Sequence, residues 1–354
     1  MNGPLAAETP SSGIGLSVII VSWNTREILR ECLERIPAAA EGLAFETIVI
    51  DNGSSDGSAR MVREEFPGAR VIENDENTGF AAATNQGIRE SSGEYIALVN
   101  SDIMTPPGSL AHFVRYLENS PGVAAVGPQL VGRSGHLQYS GGYAPSPASA
   151  FSQLSGLQAV LGGRSRGMFV RSRSTRKPMP VDWIGGACMV TRRSVIDEVG
   201  MLDDEHFMYA EDVEYGVRMR QAGWKLHLLP WIRVVHYGGA SSTGSPEARL
   251  LWMGGLFRVA AGQLGFPRFN IFGLLMSMAY FIRYLLVTLA RLIPLTGHMM
   301  DDEVARNEDM RLYAVTSLRL GLHGPGYAME YSSRLEEKCR ARPAGDKAEK
   351  ERAT

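Results

Sequence analysis

Between Leu16 and about Gly127 the chain alternates short apolar, β-branched runs with amphipathic helical stretches, and few folds accept that order. Leu16–Ser22 (LSVIIVS) is a continuous apolar run, as in a strand buried on both faces of a parallel sheet. After it, Ile28, Leu29, Cys32, Leu33 and Ile36 fall on one helical face, with Asn24 or Thr25 available as N-cap. Phe45–Ile50 leads through a Gly/Ser/Asp turn to a helix carrying Met61, Val62 and Phe66. Ala69–Ile72, a helix around Ala81–Ile88, and strands at Tyr95–Val99 and Val123–Val126 complete the series. The pattern predicts an α/β layered fold: a mostly parallel, mixed sheet flanked by helices. Ligands of such sheets bind at the carboxyl ends of the strands. The residues to read for chemistry are therefore Trp23-Asn24, Asp51-Asn52-Gly53, Glu73 to Asn77, and Asn100-Ser101-Asp102.

Composition narrows the class. A chain of 354 residues, 44% hydrophobic and 21% charged, is neither wholly disordered nor collagen-like. Thirty-six Lys and Arg against 38 Asp and Glu leave a net charge of −2, without the positive excess a non-specific nucleic-acid binder needs. Cys32, Cys188 and Cys339 are widely spaced and form no CxxC pair, which fits a reducing, cytoplasmic compartment rather than a disulfide framework or structural zinc.

The chain divides into a disordered Gly/Pro/Ser-rich leader (1–15) without signal-peptide features, an α/β domain (16–245), a helical segment (246–300) and a charged, partly disordered tail (301–354). Within the domain, Gly132–Pro180 has weak periodicity and reads as a mobile loop. Arg334–Thr354, dominated by Lys, Arg, Glu and Ala, reads as disordered.

Each polar cluster has a plain reading beside a chemical one. Asp51 follows a buried strand and can accept hydrogen bonds from a base NH, yet Asn52-Gly53 also reads as a turn and Asp56 as a cap. Asn77-Thr78-Gly79 precedes a helix that carries Asn85; it can present backbone N–H groups to an anion, or simply cap that helix. Asp102, beside an amide, can hold a hard divalent cation or close a turn. Glu211 and Asp212 open a helix, where they can serve a general base or complement the macrodipole. His236 follows a strand at Ile232–Val235; it is a core residue or, near Asp102, part of a mixed N/O site of the kind Mn²⁺ accepts.

In order, S-V-I-I-V-S-W-N, V-I-D-N-G-S-S-D-G-S, E-N-T-G-F-A-A-A-T-N-Q-G, L-V-N-S-D, D-W-I-G-G-A-C-M-V-T-R-R, F-M-Y-A-E-D and H-Y-G-G-A-S resemble the successive signatures of family 2 glycosyltransferases with a GT-A fold. The bacterial rhamnosyltransferase-like branch is the most similar, and the resemblance spans about Leu16 to Ser242. It implies that Trp23 and Asn24 line a nucleotide pocket and that Asp51 reads the base. Asn77, Gly79 and Asn85 would surround the nucleoside and phosphates. Asp102 matches the last position of a metal-binding DxD motif whose first position is Asn100 here. Asp182, Trp183, Gly185 and Gly186 match the sugar and acceptor side. Asp212 matches the catalytic base, with Glu211 beside it, and His236 matches a metal-site histidine. The implied activity is inverting, metal-dependent (Mg²⁺ or Mn²⁺) transfer of a sugar, with dTDP-rhamnose favoured as donor. The implied acceptor is a glycan or lipid-linked hydroxyl in cell-envelope polysaccharide synthesis.

Phe269–Ile293 is strongly apolar but contains Arg283 and Arg291. At 100° per residue, both fall with Asn270, Ser277, Tyr280, Tyr284 and Thr288 in an arc of roughly 140°. A spanning helix needs about 20 largely uncharged residues. The segment therefore reads as peripheral, on the inner face of the cell membrane, with packing on the α/β domain or a dimer contact as the other readings. Three rivals stand beside this assignment. A sugar nucleotidyltransferase would carry a Gly-rich basic loop where Ser-Trp-Asn-Thr stands, and a processive synthase would carry QxxRW. A non-catalytic carbohydrate-binding protein would have no need to keep Asp102, Asp212 and His236 together.

Overall fold

LSVIIVS forms β1 (Leu16–Ser22), and its alternating side chains enter two different cores. Val18 and Ile20 join Leu29, Cys32, Leu33 and Ile36 of α1 (Arg26–Ala39) on one face of the sheet. Ile19 joins Ala81 and Ile88 of α3 (Phe80–Glu90) on the other. Both faces are covered, which is why the strand is apolar throughout rather than alternating. The computed structural model describes residues 15–154, 167–170, 176–238, 246–290 and 300–340. The expected leader up to Ile14, Arg291 and the tail beyond Arg340 lie outside these.

The other strands are β2 (Phe45–Asp51), β3 (Ala69–Glu73), β4 (Tyr95–Asn100), β5 (Ile103–Met104), β6 (Val123–Val131), β8 (Met179–Val181), β10 (Cys188–Arg192) and β11 (Lys225–His236). They order as β3-β2-β1-β4-β10-β6-β11-β5, with β8 on β11. The pairs β3–β2, β2–β1, β1–β4 and β6–β11 are parallel; β10 runs antiparallel to both of its neighbours. Helices α2 (Ser58–Glu65) and α4 (Ser109–Glu118) cover the α1 face, and α6 (Arg193–Val199) and α7 (Glu211–Gln221) cover the α3 face.

Two expectations need correction. Part of Gly132–Pro180 is ordered: β7 (Gly141–Gly142) pairs with β9 (Trp183–Ile184), Ser140 is buried, and α5 (Pro147–Leu154) follows. Strands two residues long and small residues leave no periodicity to read. The charged tail is likewise helical over much of its length, as α10 (Met300–His323) and α11 (Pro325–Arg340). In α11 the buried stripe is Ala328, Ser332, Leu335 and Glu336. It contains one large apolar side chain, so composition conceals a helix whose inner face is real.

These helices pack with α8 (Pro246–Gln263) and α9 (Phe266–Ala290) around Phe257, Phe269, Phe272, Met276, Tyr280, Tyr313 and Leu320. Tyr280, expected on the polar arc of α9, is buried here. The apolar remainder of α9 is split: Phe272 and Met276 enter the bundle, while Ile271, Leu274, Met278, Phe281, Ile282 and Leu285 are each 41–51% exposed. Among the described residues no helix is long and apolar enough to cross a membrane.

Helices α9 and α10 touch backbone to backbone where Gly273 meets Gly321. A Cβ on Gly273 would lie 2.5 Å from the Gly321 Cα. Helix propensity alone makes Gly273→Ala stabilising by about 0.5–1 kcal/mol. The contact predicts the opposite sign: a loss of about 1–3 kcal/mol, read as a lower Tm in calorimetry.

Candidate active site

Strand direction explains why residues distant in sequence meet. At their carboxyl ends β1 and β2 are in register, Ser22 beside Asp51, and Val21 of β1 lies beside Asn100 of β4. β10 is antiparallel, with Cys188 beside Val99, so the preceding Gly185-Gly186-Ala187 reaches the same edge. β11 ends there too, at His236. A cavity of about 600 Å³ opens along this edge, and Asp102, Glu211, Asp212 and His236 all line it.

One side is built from amides. Asn52 donates to Asn77 Oδ1 (2.8 Å) and to the Gly79 carbonyl (3.3 Å). Its own oxygen accepts from Asn74 (3.0 Å) and from the Thr78 N–H (3.1 Å). Asn52 thus joins the β2 turn to the loop before α3. Asp51 lies buried beneath: Oδ1 accepts the Ser54 N–H at 2.8 Å, and Oδ2 is without a hydrogen-bond partner. Burial raises its pKa, and the Ser54 amide pulls against that rise. The Trp23 indole N–H and the Asn100 Oδ1 are also buried without partners in a wall of the cavity.

At the end of β4, Asp102 Oδ1 lies 3.4 Å from His236 Nε2, and Asp102 Oδ2 accepts the Gly238 N–H at 3.0 Å. No Lys or Arg is among the lining residues described. Among the described residues no three His, Cys, Asp or Glu converge, so Asp102 and His236 form an open pair rather than a closed cage. A divalent cation that shares its coordination with substrate phosphates takes that kind of site.

The two acidic residues of α7 differ in environment. Asp212 Oδ2 accepts the Gly186 N–H (3.0 Å) and Oδ1 accepts the Val213 N–H (2.8 Å), at the positive end of a helix dipole. Glu211 is buried and its Oε2 has no partner. Burial, with Asp212 next to it, pushes the Glu211 pKa up to about 8; burial raises Asp212 as well, against the pull of its two N–H donors. Two N–H donors hold the Asp212 oxygens while Glu211 Oε2 has none, so the geometry favours the charge on Asp212 and the proton on Glu211.

The loop leading to this pair is strained and pinned. Tyr209 and Ala210 both have left-handed backbone, φ 70° and 67°, a cost on the order of 1 kcal/mol each. The Phe207 carbonyl accepts the Phe80 N–H at 2.8 Å. Gly79, at φ +90°, is where a Cβ would stand 2.5 Å from that same oxygen, so the close approach requires glycine. From below, Gly255 of α8 abuts Ala210, and Arg258 pairs with Glu205 and, at 3.7 Å, with Glu336 of α11.

Residues 17–200 match the family profile described as Glycosyl transferase family 2. The chain belongs to that family. It is similar to the N-acetylglucosaminyl-diphospho-decaprenol L-rhamnosyltransferase of Mycobacterium tuberculosis, 28% identical over 251 residues, which cover 66% of this chain and 80% of the relative. Its fold is similar to that of mannosyltransferase PcManGT from Pyrobaculum calidifontis in complex with GDP-Man and Mn²⁺, with TM-score 0.54, 18% identity and 89% of each chain covered. GalNAc-T7 with UDP, GalNAc and Mn²⁺ gives TM-score 0.54 at 16% identity, over 84% of this chain and 55% of that one. The sheet, its flanking helices and these likenesses make the fold GT-A, as the motifs implied.

Within this family 2 glycosyltransferase the expected site residues divide. Trp23, Asn77, Asn100, Asp102, Trp183, Gly185, Gly186, Glu211, Asp212 and His236 line the cavity. Asn24, Asp51 and Gly79 stand behind the lining; Asn24, in a left-handed conformation, accepts from the Ser55 N–H at 2.8 Å and so holds the β2 turn. Asn85 and Asp182 also stand outside the lining. Asn85 makes a reciprocal pair with the Leu202 backbone (2.8 and 3.1 Å), and Asp182 accepts from the Ala144 N–H (3.1 Å) and from Arg220 (3.2 Å). Their polar atoms are committed to distant parts of the chain, outside the cavity lining. Asn52, at a strand end marked by the sequence, lines the cavity, and so do Gln138, Tyr139, Phe169, Met208, Tyr209 and Trp252, to which the sequence assigned no role. Phe169 is in edge contact with both Trp183 (5.8 Å) and Trp252 (6.0 Å), giving the cavity an aromatic side. The signal available for Met208 and Tyr209 was their place inside the F-M-Y-A-E-D motif.

The Glu211 pKa has a consequence for stability. A folded-state pKa near 8 against an ordinary 4.5 means the folded chain holds a proton that the unfolded chain has released. Stability is therefore lost as pH rises from about 4.5 to about 8. Glu211→Gln removes this dependence, so its Tm relative to the parent should rise between pH 5 and pH 8.5 in scanning calorimetry. A constant Tm difference across that range would contradict the assignment.

Proposed function

We propose that this glycosyltransferase moves rhamnose, from dTDP-rhamnose, onto a hydroxyl of a glycan or lipid-linked acceptor in cell-envelope polysaccharide synthesis, with inversion at the anomeric carbon. The reading is carried by one observation: Asp102 with His236, and Asp212 with Glu211, line the same cavity. The similarity to the mycobacterial rhamnosyltransferase supports the choice of sugar and of a lipid-linked acceptor.

In this mechanism the acceptor hydroxyl oxygen attacks the anomeric carbon as the bond to the nucleoside diphosphate breaks, and the hydroxyl proton passes to Asp212. Burial makes Asp212 a stronger base than an exposed aspartate, while the Gly186 and Val213 N–H groups orient its oxygens. Glu211, holding its proton, can donate a hydrogen bond without adding charge. The amide wall of Asn52, Asn77 and Asn100 would hold the nucleotide, with Trp23 beside it and Asp51 beneath it. Asp102 and His236 are fit to hold Mg²⁺ or Mn²⁺, both because they bring oxygen and nitrogen lone pairs to 3.4 Å and because the described lining offers no cationic side chain. Such an ion, when bound, supplies charge neutralisation to the departing diphosphate. Asp212→Asn is expected to lower transfer by at least about 10³-fold while dTDP-rhamnose affinity, by calorimetry, stays within about threefold. Asp102→Ala should instead weaken donor and Mn²⁺ binding together. Near-normal turnover in Asp212→Asn would remove that residue from the base role.

We further place the exposed stripe of α9 on an anionic membrane surface, where a lipid-linked acceptor resides. Helix α9 carries Arg268 and Arg283 and no Asp or Glu, and its outward residues are Ile271, Leu274, Met278 and Ile282. An apolar stripe with only positive charge beside it suits interfacial binding. Co-sedimentation with phosphatidylglycerol vesicles should exceed that with phosphatidylcholine, and Leu274→Asp with Met278→Asp should weaken it about tenfold or more. Parent protein that stays in the supernatant would overturn the membrane placement.

A further inference from the structure

Gln138 lies between β6 and β7, in a segment whose sequence pattern assigned it no role. Its backbone is fixed: its N–H donates to the Leu130 carbonyl at 2.9 Å, and its carbonyl accepts from the Gln129 side chain at 2.8 Å. Its side chain reaches across to the end of β11. Gln138 Nε2 donates to the His236 backbone carbonyl at 3.1 Å. That bond settles which way the amide points, because the oxygen in its place would face another oxygen. Gln138 Oε1 must then be the atom 2.7 Å from His236 Nδ1. An amide oxygen only accepts, so Nδ1 carries the proton. In the neutral ring Nε2 is then the lone pair, and it is the nitrogen facing Asp102 Oδ1 at 3.4 Å. In that form two acceptors face each other in side chains only 20% and 8% exposed, a juxtaposition that a bound cation relieves.

We infer that Gln138 is a positioning residue for the divalent-cation site: it fixes the His236 tautomer and ring orientation so that Nε2 is presented beside Asp102. The inference rests on the proposed assignment of Asp102 and His236 as ligands. Partners of this kind commonly change metal affinity by about 10- to 100-fold when removed.

Two measurements on the full chain test it. With selective ¹⁵N labelling of the seven histidines, long-range ¹H–¹⁵N correlation should show His236 with a protonated Nδ1 and a bare Nε2, its signals assigned by their loss in His236→Asn. In Gln138→Leu the same signals should become a mixture of tautomers. Mn²⁺ titration followed by electron paramagnetic resonance should show about 10- to 100-fold weaker binding in Gln138→Leu. Gln138→Glu keeps an acceptor at Nδ1 but sets an oxygen against the His236 carbonyl, so it should keep the parent tautomer and bind Mn²⁺ more tightly than Gln138→Leu. A proton on Nε2 in the parent, or equal Mn²⁺ affinity in parent and Gln138→Leu, would overturn the role of Gln138. A parent that shows the expected tautomer but binds no Mn²⁺ would instead overturn the ligand assignment. The tautomer reading on the parent holds even where the leucine variant does not fold.

Discussion

The site depends on one reversal of direction, the antiparallel strand β10 set between the parallel strands β4 and β6. Parallel strands alone bring only carboxyl ends to a common edge. β10 adds the approach to an amino end, and with it backbone N–H groups that no parallel strand could present there. The Gly186 N–H that holds Asp212 is one of them. The insertion also locks the frame, because the Asn100 N–H donates to the Ala187 carbonyl at 2.9 Å. The segment beside Asp212 and the strand that ends in Asn100-Ser101-Asp102 are therefore one hydrogen-bonded unit.

Electrostatics follow from that frame. The described lining holds three carboxyl groups and no lysine or arginine, an arrangement that would repel a diphosphate if every carboxyl were ionised. Two features reduce the conflict. Glu211 is buried with its Oε2 unpartnered, and burial pushes its pKa up to about 8. Asp102 accepts the Gly238 backbone N–H, which offsets part of its charge. Asp212, the proposed base, has its charge offset by two amide donors and a helix terminus.

What the sequence revealed and concealed follows from the kind of signal each residue leaves. A buried parallel strand must be apolar along its length, so β1, β2 and β4 were legible, and the polar residues after them marked the edge. Periodicity tells which face of an element is buried but not what lies opposite. Asn85 and Asp182 sit in motif positions and nonetheless bond to Leu202 and to Ala144 and Arg220, because those partners are 117 and 38 residues away. Asn52 reads as half of an Asn-Gly turn, yet its side chain organises four neighbours. Gln138 and Tyr139 lie where two-residue strands leave no pattern at all.

The helices after Pro246 lie beyond the matched family segment, and their contacts bind them to the chemistry. Trp252 of α8 lines the cavity, and its ring meets Tyr280 of α9 at 6.3 Å and Tyr313 of α10 at 5.4 Å. Edge-to-face pairs contribute about 0.5–1.5 kcal/mol each, so one side chain couples the cavity wall to three helices. On the other side of the loop, Arg258 and Glu336 are buried charges that face each other beneath Glu205 and His206. Burial pushes Glu336 up to about 6, with Arg258 pulling it down ahead of Ser332 and Arg340, so removing the arginine would take away the largest offset to its desolvation. The left-handed pair Tyr209-Ala210 just before the proposed base is held from above by Phe80 and from below by this bundle. A strained turn clamped on both sides has little freedom to relax, and that restraint fixes where Asp212 points.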